Sequence, residues 1–109
     1  MRKQAVSAMV LAALGMFAAP IEARAQNVEA GQQMAETWCS SCHLVDLSQR
    51  KAPNDMIPSF AAIAQMKSTT RESLAAFLTS PHPPMPNFAL SRREIADLSA
   101  YIMSLRKPN

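Results

Sequence analysis

Glycine is almost absent from this 109-residue chain, occurring only as Gly15 and Gly31. Two residues so far apart cannot build a glycine loop that cradles a phosphate. Large aromatics are few as well, one Trp, one Tyr and four Phe, which limits the core that so short a chain can bury unaided. No strand-like alternation is long enough to name, which leaves an all-α domain. Neither paired carboxylates nor a Ser-His-Asp arrangement points to acid–base or nucleophilic chemistry, so an enzyme acting by itself is not expected. No repeat or low-complexity segment interrupts the sequence.

Residues 1–25 read as a secretory leader. Arg2 and Lys3 form a basic start, Ala5 to Phe17 an apolar run, and Ala23-Arg24-Ala25 an A-x-A cleavage site. The run is shorter than the ~20 apolar residues of a membrane span, and Pro20 interrupts its end. An uncleaved anchor is the other reading, and both put the domain outside the cytoplasm. Cleavage leaves residues 26–109 as one domain of 84 residues, with eight basic against seven acidic side chains and a net charge of +1 in place of +3. So balanced a charge gives no reason to expect a nucleic-acid partner, and cleavage removes the apolar run, so no membrane span is expected after it. The basic pairs Arg50-Lys51, Arg92-Arg93 and Arg106-Lys107 read as ordinary solvated positions or the frame of a docking surface.

The only two cysteines stand in Cys39-Ser40-Ser41-Cys42-His43. C-x-x-C-H supplies two thiols and one imidazole at the spacing that holds a haem covalently. On a helix, residues three apart share a face, so Cys39 and Cys42 can each add to one haem vinyl group while His43 meets the iron. Its second ring nitrogen can donate to a backbone carbonyl, fixing the ring plane and raising its donor strength. A disulfide between Cys39 and Cys42 would close a very short loop and limit little chain entropy. A thioredoxin-like motif needs a βαβ context, and structural zinc needs four suitably spaced ligands where this domain has two Cys and two His. Covalent haem with an exported chain points to a bacterial periplasm.

Helix signals frame this motif. The first helix starts at about Asn27, an N-cap with Glu29 in the first turn, and runs into the haem motif. Val28, Gly31, Ala35, Trp38 and Cys42 recur at near-helical spacing, and Gly31 and Ala35 make a notch for another helix. The last helix opens with the capping box Ser91–Glu94, has Leu90 and Ile95 as a hydrophobic staple, and reaches about Arg106. Its stripe Ile95, Leu98, Ile102 and Leu105, edged by Tyr101, is core that faces the notch. Between them, Thr69 and Glu72 form a second box ahead of a helix with Leu74, Phe77 and Leu78 that ends at Pro81. A shorter helix covers about Phe60 to Gln65.

A haem iron with one His needs a sixth ligand or is left open for gas binding or catalysis. The candidates are His82 and Met34, Met56, Met66, Met85 and Met103. Met85 stands out in His82-Pro83-Pro84-Met85-Pro86, where proline removes backbone donors and fixes φ, so the segment is expected to be extended and stiff. His82 is the rival, and three residues apart on a stiff segment the two do not readily both face the iron.

With these motifs the chain resembles the small class I c-type cytochromes over essentially its whole mature length. The resemblance implies a cytochrome c-like fold of three to five helices around one haem c and its iron, attached through Cys39 and Cys42 and ligated by His43 and Met85. It implies that Pro58, in Ile57-Pro58-Ser59-Phe60, offers its carbonyl to His43, with Pro53 as the weaker alternative, and that Gly31 packs against Tyr101. Ala35 stands where the family usually has an aromatic, and Ile57 where a glycine often precedes the proline. The function implied is a periplasmic one-electron carrier between redox partner proteins, acting as a monomer or as a subunit of a redox complex. The alternatives are an obligate cytochrome subunit of a dehydrogenase or oxidase, and a gas-binding or peroxidase haem protein.

Overall fold

The computed structural model describes residues 26–49, 51–80 and 82–109. The expected leader, Arg50 and the helix stop at Pro81 lie outside the described residues. Four α-helices and no strand occur among the described residues: α1, Val28–Met34; α2, Phe60–Gln65; α3, Arg71–Thr79; and α4, Arg92–Ser104. None is long and apolar enough to cross a membrane.

Each helix starts where a side chain can take an otherwise unpaired N–H. Asn27 accepts from Ala30, and Ser59 from Ala62, both at 3.0 Å. At α4 the capping box forms as expected, Glu94 N–H donating to Ser91 Oγ at 3.2 Å and Ser91 N–H to the Glu94 carboxylate at 2.7 Å. At α3 the box is shifted by one residue from the expected Thr69–Glu72. Thr70 is the cap, and its hydroxyl and backbone exchange bonds with Ser73 at 3.0 and 2.8 Å. Thr69 is buried instead, and a serine hydroxyl serves at the third helical position as well as the glutamate would have.

The Ser91 backbone N–H, and then its hydroxyl, hold the Glu94 carboxyl below its usual range, and Ser48 does the same for Asp46 with help from Gln32. A carboxyl whose folded pKa lies below its unfolded value stabilises the fold above the unfolded value, and that stability drains away as pH falls through the folded one. The melting midpoint is therefore expected to drop with acidification below about pH 4.5, the ordinary glutamate value. Glu94→Gln should flatten that acid slope, and parallel slopes for the two proteins would refute the assignment.

The expected pairing of the terminal helices is present. Gly31 and Ala35 are buried against α4, whose Ile95, Leu98, Tyr101 and Ile102 are buried in turn, with Leu105 packed at the edge. A Cβ on Gly31 would lie 2.1 Å from the Asp97 carbonyl oxygen and 2.8 Å from Tyr101 Cβ, so only glycine lets the backbones cross here. Asp97 is itself buried, and one carboxylate oxygen accepts the Asn27 N–H at 2.8 Å while the other accepts from Arg93 at 3.2 Å. Arg106 is exposed, as its sequence pair suggests, but it also carries structure. Its guanidinium donates to the carbonyls of Ala64, Met66 and Thr69 at 2.6–2.9 Å, taking up acceptors left at the end of α2.

Candidate functional site

After Met34 the first helix does not continue as α-helix. Ala35–Cys39 form a π-helical turn, which the spacing of apolar residues did not foretell. Side-chain hydroxyls take carbonyls there, Thr37 donating to Gln33 at 2.7 Å and Ser40 to Glu36 at 2.6 Å. Such i−4 back-bonding competes with the α-helical ladder, and the wider π turn changes which residues share a face. Cys39 therefore follows Gly31 and Ala35 into the core, whereas Trp38, expected on the buried stripe, is turned out and is 38% exposed.

The chain then folds back on the turn, Cys42 and His43 both donating backbone N–H to the Cys39 carbonyl, at 3.1 and 2.9 Å. Both thiols are free, Cys39 buried and Cys42 exposed. Burial, and next the neighbouring Cys42, push the Cys39 thiol up to about 11. It is a neutral thiol near pH 7, and a thioether at this position would carry no group left to titrate.

His43 Nδ1 lies 2.7 Å from the carbonyl oxygen of Pro58. With Nδ1–H donating there, the imidazole keeps Nε2 as its free electron pair. The ring also packs against Phe60, centroids 5.2 Å apart. Phe60 N–H donates to the Leu44 carbonyl at 3.0 Å, and the Tyr101 hydroxyl to the Val45 carbonyl at 2.6 Å, so α2 and α4 both tie down the strand of chain leaving His43.

Residues 82–85 form a tight turn in place of the extended run their prolines suggest, with Met85 N–H donating to the His82 carbonyl at 3.0 Å and a cis Pro83–Pro84 peptide. The turn puts both side chains on one side, His82 Nε2 2.7 Å from Met85 Sδ. His82 is half-buried, with its Nδ1 2.9 Å from the Ser80 carbonyl and its ring 3.6 Å, centroid to centroid, from that of Phe77. Phe77 faces this ring and is exposed, unlike Leu74 on the same helix, which is buried. Leu78, Met85, Pro86, Phe88 and Leu90 line a small cavity beside the turn.

An imidazole with its Nδ1 fixed, two free thiols on the preceding turn and a thioether on a separate proline-bound turn make a donor set suited to covalent haem. The residues fit the group on that ground. Phe88, two residues beyond Pro86 and marked by no motif, stacks on Trp38, ring centroids 6.1 Å apart and planes 12° from parallel.

A family model described as Cytochrome c matches residues 28–106. Cytochrome c-552 of Bradyrhizobium diazoefficiens is 44% identical over 93 residues, covering 85% of this chain and 88% of the relative. No solved structure matches the chain.

Proposed function

The chain belongs to the cytochrome c family, and from that membership we propose that it is a periplasmic carrier of single electrons whose one haem is attached through Cys39 and Cys42 and ligated by His43 and Met85. It is an electron-transfer protein, its cofactor is covalently bound haem c with iron, and it works with redox partners. The observation that carries the finer reading is the 2.7 Å contact from His43 Nδ1 to the Pro58 carbonyl, directly after two free thiols.

When bound, haem c supplies a ferric–ferrous couple that takes up or releases one electron. Pro58 holds the imidazole plane of His43 through Nδ1–H, and a donor held this way does not have to reorient between oxidation states. Cys39 and Cys42 would fix the position of the group from one buried and one exposed point on a single turn. Met85 would supply the sixth ligand from a separate turn, where Pro84 and Pro86 restrict the backbone on either side. A thioether as sixth ligand favours the ferrous state over bis-histidine ligation. Export of the chain is supported by the basic start, apolar run and A-x-A site of residues 1–25, with Gln26 as the first residue after cleavage.

Potentiometric titration of the periplasmic holoprotein tests this reading. One haem per chain, a reversible one-electron curve and no carbon monoxide binding by the ferrous protein near neutral pH are expected. Rapid carbon monoxide binding would point to an open sixth position and a gas-binding role, and co-purification of the whole pool with a catalytic subunit would point to a fixed enzyme component.

A further inference from the structure

The Trp38–Phe88 stack is unusual in where it stands. Both rings belong to exposed large residues, 38% and 40% accessible, so the stack lies at the surface and contributes little core. Trp38 immediately precedes Cys39, and Phe88 follows Met85 by three residues. The two rings therefore join the segment read as attaching the haem to the segment read as bringing its sixth ligand.

Each side departs from regular backbone to make this contact. On one side, the π turn Ala35–Cys39 carries Trp38 off the buried face of the first helix. On the other, Ala89 N–H donates to Asn87 Oδ1 at 2.9 Å, and Ala89 has φ of 51°, left-handed backbone that a residue other than glycine seldom adopts. Phe88 sits within that turn. Strained backbone of this kind persists only where surrounding contacts over-determine it. Among the described residues, the hydrogen bonds of 82–90 run to neighbours in sequence and none reaches the Cys39–His43 turn. Leu90 packs against the core cluster that includes Cys39, and the stack is the aromatic contact that joins the two segments at the surface.

We propose that Trp38 and Phe88 form an aromatic clasp that holds the Met85 segment against the haem-attachment turn and so sets how readily Met85 leaves the iron. The clasp rests on the reading of Met85 as sixth ligand. Neither ring carries a lone-pair donor for iron, so both are positioning residues acting through Met85. Displacement of Met85 by an external ligand requires the 82–90 segment to move outward, and that motion must first separate the two rings. An aromatic pair is worth a modest amount beyond its buried area, which corresponds to a change of roughly three- to tenfold in the opening equilibrium.

Imidazole binding to the ferric holoprotein, followed through loss of the sulfur-to-iron charge-transfer band, measures that equilibrium. Trp38→Ala and Phe88→Ala should each tighten apparent imidazole affinity about three- to tenfold, and the double variant no further, since either change alone already opens the clasp. Trp38→Phe, which keeps a ring to stack, should remain close to the parent. Variants that lower the melting midpoint but leave imidazole affinity unchanged would reduce the stack to packing and overturn the proposal, as would fully additive effects. Proton–proton contacts between the two rings in the holoprotein report the stack whatever ligates the iron, and their absence also overturns it. Failure of the underlying reading looks different: the charge-transfer band would then be absent from the parent or would survive in Met85→Ala.

Discussion

Met85→Ala is expected to abolish the sulfur-to-ferric-iron charge-transfer band, lower the reduction potential and let the ferrous protein bind carbon monoxide. With Met85 as the proposed sixth ligand, loss of its thioether removes the donor that favours ferrous iron, and axial ligation sets haem potentials over a range of ~0.8 V. A fall of at least ~0.1 V is therefore expected, well outside what a surface substitution would cause. The rest of the fold should tolerate the change, because Met85 lies on a turn outside the buried cluster formed by the π turn, Val45, α2, α3 and α4. Met34 and Met103 pack against that cluster and Met56 and Met66 are exposed, so each would need its segment to move before it could substitute.

His82→Ala is the control that gives the first experiment its meaning. Nε2 of His82 lies 2.7 Å from Met85 Sδ, so the two side chains approach the same space and the choice between them cannot be left to sequence. If Met85 is the ligand, His82→Ala keeps the charge-transfer band and leaves the sixth position closed. If the band is absent from the parent and carbon monoxide binding appears only in His82→Ala, ligation is bis-histidine and the potential is correspondingly low. An unchanged band in Met85→Ala would sink the assignment outright.

What could be read from the sequence is what is satisfied locally. The Ser91–Glu94 box declares itself because its donors and acceptors lie within four residues, and the C-x-x-C-H motif because its two thiols and imidazole lie within five. The Thr70–Ser73 box was displaced by one residue because Thr69 and Thr70 offer the same hydroxyl, and only burial of Thr69 distinguishes them. The π turn escaped because apolar spacing assumes an unbroken α-helix, while the hydroxyls of Thr37 and Ser40 alter its geometry without altering the hydrophobic pattern. Arg106 escaped for another reason. Its three acceptors are backbone carbonyls 37–42 residues away, which no side-chain pattern marks. The Trp38–Phe88 stack combines both problems, needing the altered turn at one end and a left-handed alanine at the other.

Replacing Gly31 should damage the fold more than any other single change on α1. Even alanine would set a Cβ 2.1 Å from the Asp97 carbonyl oxygen and 2.6 Å from its carbon, and neither backbone atom can turn aside as a flexible side chain could. The helices must separate, which also strains the Asn27–Asp97 bond at the start of α1 and loosens Tyr101 against Ala35 and Phe60. Overpacking typically costs ~1–3 kcal/mol, and collision with backbone puts Gly31→Ala near ~3 kcal/mol and Gly31→Val above it. For a domain of this size that lowers the melting midpoint by roughly 12–24 °C, a large share of a total stability of ~5–15 kcal/mol. Gln33→Ala, on the exposed side of the same helix, should stay within about 0.5 kcal/mol of the parent and controls for helix propensity. The haem spectrum of whatever fraction folds should remain nearly normal, because the crossing orders the terminal helices and supplies no donor to the iron. A Gly31→Val protein that melts with the parent would mean that α1 and α4 do not cross at this distance.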